Sequence, residues 1–149
     1  MPESAEAEAL SAATRNVLET MFFTEVYGER GEFGPALAEG LQARLHFTGQ
    51  RAGEFRIAIA PGSARRIAAN FLGSEDEAGM PECQVRDVTC ELANMICGSV
   101  LSRLAADVAF ELSHPELSAA SDGDFAWVGC AAGTFDFEKG SLSAAIRFE

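Results

Sequence analysis

The chain is short of positive charge, of long apolar runs and of closely paired cysteines, and each shortage removes a class of function. Lysine and arginine together number 11 against 23 aspartates and glutamates, a net charge of −12 at pH 7. A nucleic-acid surface needs clustered cations to displace phosphate counterions, and an anionic lipid surface attracts polybasic segments. Neither partner suits this chain. The longest uncharged stretches, 92–102 and 125–135, reach about half of the roughly 20 apolar residues that a membrane-spanning helix requires. The acidic start has no basic segment leading into an apolar one, so no secretory signal is expected and a cytoplasmic protein is. Cys83, Cys90, Cys97 and Cys130 include no C-x-x-C pair, and His46 and His114 lie far from them in sequence, which does not suit zinc. Cys83, Cys90 and Cys97 fall seven apart, near one face of a helix, and read as small packing residues.

What is present suits one domain. The 149 residues are 48% hydrophobic, enough for a core and too apolar for wholesale disorder. Residues 1–10, acidic and Ala-rich, read as a flexible lead-in to a single domain over 11–149. From Ser11 to Tyr27, Val17, Leu18, Met21, Phe22 and Val26 recur at helical spacing. Gly28, Gly31 and Gly34-Pro35 then break the helix. Residues 41–48 and 54–60 alternate apolar and polar around a glycine-containing loop and predict a hairpin. A helix with Ser63 as candidate N-cap follows and stops at Gly73. Residues 82–112 contain no proline and only one glycine, Gly98, so the longest helix is expected there. Ser113-His114-Pro115 ends it. A short extended piece, a turn at 121–124 and two strands, 125–137 and 141–148, close the chain, with Gly129 and Gly133 suggesting a bulge in the first.

Each half thus runs helix, then strands. The last strand of each begins alike, Gly53-Glu54-Phe55-Arg56-Ile57-Ala58-Ile59 and Gly140-Ser141-Leu142-Ser143-Ala144-Ala145-Ile146, a repeat open to coincidence or to duplication. The fold class is α+β, with an antiparallel sheet of about six strands, pseudo-duplicated halves, and the long helix packed beside the first.

On the long helix, a residue step of about 100° puts Asp87, Glu91, Asn94 and Gly98 within about 60° of one another, while Val88, Leu92, Ile96 and Val100 fall on the far side. An acidic, amide-bearing stripe is also what an ordinary solvated helix face looks like. Glycine in mid-helix needs a further reason, because it costs about 1 kcal/mol against alanine.

The run Asp87-Val88-Thr89-Cys90-Glu91-Leu92-Ala93-Asn94-Met95-Ile96-Cys97-Gly98 resembles the signature of the CheC/CheX/FliY phosphatases of bacterial chemotaxis: Asp or Ser, three residues, Glu, two residues, Asn, often continuing Asn-Met-Ile-x-Gly. Residues 17–23 resemble the first helix of CheX-like domains, and Ser113-His114-Pro115 the step after the signature helix. The likeness spans residues 15–149. It implies hydrolysis of the phosphoaspartate on a CheY-like receiver domain. Asn94 would orient the attacking water, and Glu91 would pair with the receiver's lysine. Asp87 would position or dock the partner, and Gly98 would leave room for its backbone. The resemblance implies no cofactor of the chain's own, the Mg²⁺ belonging to the receiver, and it implies a homodimer. Aligning Glu19 with Glu91 puts Phe22 in place of Asn94 and Arg15 in place of Asp87. A phenyl ring cannot orient water, so the first helix reads as a vestigial site with Phe22 in the core.

Other constellations are weak. Ser113, His114 and Asp122 lack the G-x-S-x-G elbow of a hydrolase. Gly28, Gly31 and Gly34 are not spaced as a phosphate loop, and Trp127 reads as packing. A non-catalytic module that binds a receiver, or a flagellar or chemosensory partner, through the same helix is the alternative from another class.

Overall fold

The computed structural model describes residues 5–31, 40–119, 131–138 and 140–149. Helix α1 (Ala5–Met21) leads into β1 (Val26–Arg30), β2 (Leu41–Thr48) and β3 (Gly53–Ile59). Helices α2 (Pro61–Leu72) and α3 (Glu82–Leu104) follow, then β4 (Glu111–Leu112), β5 (Glu116–Ala119), β6 (Ala131–Phe137) and β7 (Gly140–Phe148).

The sheet order is β1-β6-β7-β3-β2-β4, with β5 also on β2, and every pairing is antiparallel. The strand that follows each long helix lies at an edge beside the other half: β1 against β6, and β4 and β5 against β2. The two halves are therefore interleaved about a pseudo-twofold axis. The repeated phrases locate that axis, because their equivalent positions Ile57 and Ala144 face each other across the central β3–β7 pair. The glycine that opens each phrase has a steric reason. A Cβ at Gly53 would run into Arg147 O and the Phe47 ring, and one at Gly140 into Ser63 Oγ.

Helix α1 lies over β6 and β7, α3 over β2 and β3, and the two helices pack on each other. Ala43, Leu45, Phe47, Phe55, Ile57, Ile59, Leu142, Ala144 and Ile146 point from the sheet into this layer and are buried. Each of the larger ones contributes about 1.5–3 kcal/mol of hydrophobic stabilisation. The other sheet face gathers several of the chain's scarce cations. Buried Glu54 accepts from Arg147 at 3.3 Å and pairs with Arg44 at 3.5 Å, with His46 Nε2 at 3.6 Å.

The structure moves several boundaries. Residues 5–10 belong to α1 rather than to a flexible lead-in, because Ala9 and Leu10 are buried in the core and an alanine-rich segment pinned there is helical. Glu6 and Glu8 occupy the first turn, where the helix dipole favours them. At its other end α1 stops at Met21, not Tyr27: Thr24 N–H closes on Leu18 O at 2.9 Å, Phe23 turns left-handed at φ 52°, and the chain enters β1. Helix α2 is entered through Ala60 with Pro61 at its first position, so Ser63 is not the cap. Gly73 ends it in the left-handed conformation, φ 69°. Helix α3 ends at Leu104 rather than 112, because Phe110 packs edge-on against Phe47 and Leu112 pairs with it on β2; sheet pairing overrides local helix propensity. No bulge interrupts β6 against β7. The register shift lies in β1, between Val26 and Gly28. The expectations on Gly34-Pro35, the turn at 121–124, Asp122, Trp127, Gly129 and Cys130 fall outside the described residues.

Candidate functional site

Helix α3 packs against α1, α2 and the sheet, which buries one of its faces. Val85, Val88, Thr89, Leu92, Ala93, Ile96, Cys97 and Val100 are buried. The remaining outward strip contains Asp87 and Glu91, both exposed, and Asn94 and Gly98, both half-buried. The helical arithmetic thus brings the four predicted residues onto one side, with Glu91 and Asn94 one turn apart, about 5–6 Å between Cβ atoms.

What these side chains lack distinguishes them. Neither Asp87 nor Glu91 makes a hydrogen bond or ion pair with a described residue, and Asn94 Oδ1 is shut away from solvent without a donor. Buried polar atoms nearly always have a partner, and an exception asks for a reason. Gly98 is free of packing demands, since a Cβ there would meet nothing within 4 Å. The open space over Gly98 is therefore not needed by the fold itself.

The corresponding positions of α1 are all engaged. Arg15 Nε donates to Glu29 at 3.1 Å, Glu19 Oε2 accepts from Val26 N at 3.2 Å, and Phe22 is fully buried, its ring stacked on Phe71 with centroids 4.7 Å apart. Phe22 is a core residue, as expected.

The cysteines divide by depth along α3. Cys83 is exposed, so it is not the packing residue its spacing suggested; Cys90 is half-buried and Cys97 buried. Drift of about 20° per heptad carries the three to different positions round the helix. Burial pushes the Cys97 thiol up to about 12. Burial also raises Cys90, the Asp87 carboxylate adds to that rise, and Arg86 works against it. Cys90 Sγ donates to Pro115 O at 3.9 Å, tying α3 to the Ser113-His114-Pro115 step. Ser113 Oγ accepts from His46 N at 2.9 Å, so this hydroxyl is a strand connector. Among the described residues no three His, Cys, Asp or Glu side chains converge on a point that could hold a metal ion. None of the described helices is long and apolar enough to cross a membrane. The sequence reading missed a cleft of about 380 Å³ lined by Glu19, Phe23 and Glu25. It placed Phe23 inside a helix; the doubled aromatic before Thr24 was the only signal.

The comparisons agree with this architecture. No curated protein matches by sequence. Among solved structures, the chemotaxis protein CheX from Vibrio vulnificus superposes with a TM-score of 0.77 at 21% identity, covering 99% of this chain and 100% of that one. The CheX of Borrelia burgdorferi, solved as a CheX-CheY-BeF3-Mg²⁺ complex, gives 0.74 at 19% identity over 95% and 96%. Thermotoga maritima FliY gives 0.59 at 15% identity over 97% and 91%. At these identities the likeness establishes the fold. The family model described as chemotaxis phosphatase CheX matches residues 41–138, a span that holds the whole of α3 and most of the sheet, and on that match the chain belongs to the CheX family.

Proposed function

We propose that the chain hydrolyses the phosphoaspartate of a CheY-like receiver domain, with Asn94 as the water-orienting residue. The observation that carries this reading is the unpartnered Asn94 Oδ1 on the same strip as an uncommitted carboxylate, Glu91. Once the side chain turns outward against the receiver, the amide oxygen can accept from the attacking water while its NH₂ donates to a phosphoryl oxygen. Asn94 does not ionise and brings no negative charge toward the phosphoryl group. The water oxygen bonds to phosphorus, the bond from phosphorus to the aspartyl oxygen breaks, the carboxylate leaves with its electron pair, and the two protons of the water depart with the released phosphate. The receiver supplies Mg²⁺ and a lysine. The phosphatase has only to position water, and a hundredfold acceleration requires about 2.7 kcal/mol off the barrier.

Glu91 pairs with the receiver lysine and sets the depth of insertion. Asp87 contributes to docking, and the opening at Gly98 lets the partner backbone approach. The Borrelia relative in complex with CheY supports a receiver as partner. The same reading includes a homodimer and a cytoplasmic location.

The test is the decay of a Mg²⁺-bound, ³²P-labelled phospho-receiver with and without the protein. Catalytic acceleration is expected from wild type. Asn94→Ala is expected to abolish it with binding largely intact, and Glu91→Ala to lose both. Full turnover by Asn94→Ala would remove the assigned mechanism. Binding without acceleration across the organism's receivers would favour the alternative, a non-catalytic receiver-binding or flagellar adaptor using the same helix face.

A further inference from the structure

The four large apolar side chains exposed among the described residues, Met21, Phe23, Tyr27 and Leu72, lie where α1 and α2 end or just beyond. The Phe22–Phe71 stack and a hydrogen bond from Asn70 Nδ2 to Thr24 Oγ1 at 3.3 Å hold these two helix ends together. Phe23 fits its place poorly. It takes a left-handed backbone angle, φ 52°, two residues beyond the end of α1, a conformation that favours glycine. It also leaves 71% of its surface exposed. Neither backbone preference nor core packing explains a phenylalanine here, and strain of this kind persists where contact requires it.

Phe23 lines the 380 Å³ cleft with Glu19 and Glu25. Glu19 uses Oε2 for Val26 N, while Oε1 makes no hydrogen bond to a described residue. Neither α1 nor α2 has a basic residue in its last turn. Partial negative charge at two helix ends therefore adds to the two carboxylates.

We propose that this end of the molecule docks a segment of a partner protein that presents a lysine or arginine beside an apolar side chain. The cation meets Glu19, Glu25 and the helix ends, and its stem and apolar neighbour lie along the Phe23 ring. A second copy is a poor occupant, because a twofold contact sets like carboxylates against each other. The surface shares no residue with the Asp87–Gly98 strip and stands independently of the phosphatase reading.

The test uses the whole chain, isotope-labelled and titrated with acetyl-Leu-Lys-Leu-Lys-Leu-amide and with the same peptide carrying glutamine for lysine. Amide shifts are expected at residues 18–27 and 70–73, with the glutamine peptide binding at least fivefold more weakly. The Glu19→Gln, Glu25→Gln double variant is expected to lose the preference for lysine; the amide that replaces the Glu19 carboxylate keeps a carbonyl oxygen for Val26 N, so the turn survives. Phe23→Gly is expected to melt at a higher temperature, since glycine suits this backbone, and to bind the lysine peptide at least fivefold more weakly. Unfolding cannot produce that combination. Equal binding of both peptides, shifts centred on α3, no shift at millimolar peptide, or unchanged binding by Phe23→Gly would each overturn the proposal. Concentration-dependent shifts of the same residues in the protein alone would overturn it in favour of a second copy.

Discussion

An amide oxygen held out of water without a donor costs about 1–3 kcal/mol, and Asn94 carries such an oxygen in the middle of the longest helix. Alanine there relieves the unmet acceptor and is the better helix former. Asn94→Ala is therefore expected to be at least as stable as wild type while losing turnover, checked by chemical unfolding beside the phosphatase assay. A site kept at the expense of stability behaves in this way. Cys97 makes a prediction of a different kind. Its thiol, at about 12 when folded, stands above the ordinary value of 9.0. The unfolded chain therefore loses this proton first as pH rises. The contribution from Cys97 is complete below pH 9 and declines as pH climbs from 9 toward 12, by about 1.4 kcal/mol per pH unit. Between about pH 8 and pH 10.5, the unfolding free energy is expected to fall less in Cys97→Ala than in wild type.

Among the elements, α3 is the one on which the proposed chemistry depends, and Gly98 is its weak point. Gly98→Ala is expected to stabilise the fold by about 1 kcal/mol, roughly 2–4 °C in Tm, because the added methyl meets open space. The same methyl narrows the approach to Asn94, so receiver binding and turnover are expected to fall; thermal melts and phospho-receiver decay check the two effects. The strip itself was legible in the sequence because helix periodicity alone puts Asp87, Glu91, Asn94 and Gly98 on one side. The β2–β3 hairpin was legible through its alternation, and the stop at Gly73 through its glycine. The ends of α1 and α3 were not. Residues 22–27 and 105–112 have helix-compatible composition, and only pairing with β6 and β2, remote in sequence, draws β1 and β4 out of the helices. The unmet acceptor of Asn94 was equally invisible, since it depends on what surrounds the side chain.

At the scale of the molecule, the interleaving of the halves sets the folding unit. Separated within the exposed 74–79 stretch, each half loses the partner of its edge strand: β1 has no β6, and β4 and β5 have no β2. The first half keeps only the β2–β3 hairpin, and a lone hairpin is marginal in water. Fragments 1–74 and 75–149 are expected to be largely unfolded alone and to recover the circular dichroism of the intact chain when mixed. The pseudo-twofold axis also bears on how such a chain diverges. The two helices share one core, so a mutation that disturbs the shape of α1 is felt at α3. Selection acting on one side alone thus preserves the form of the other while leaving its chemistry free to drift. Phe22, its ring stacked on Phe71, is a keystone of that shared core: Phe22→Asn puts an amide where the ring fills space, and the helix it loosens is α3 as much as α1.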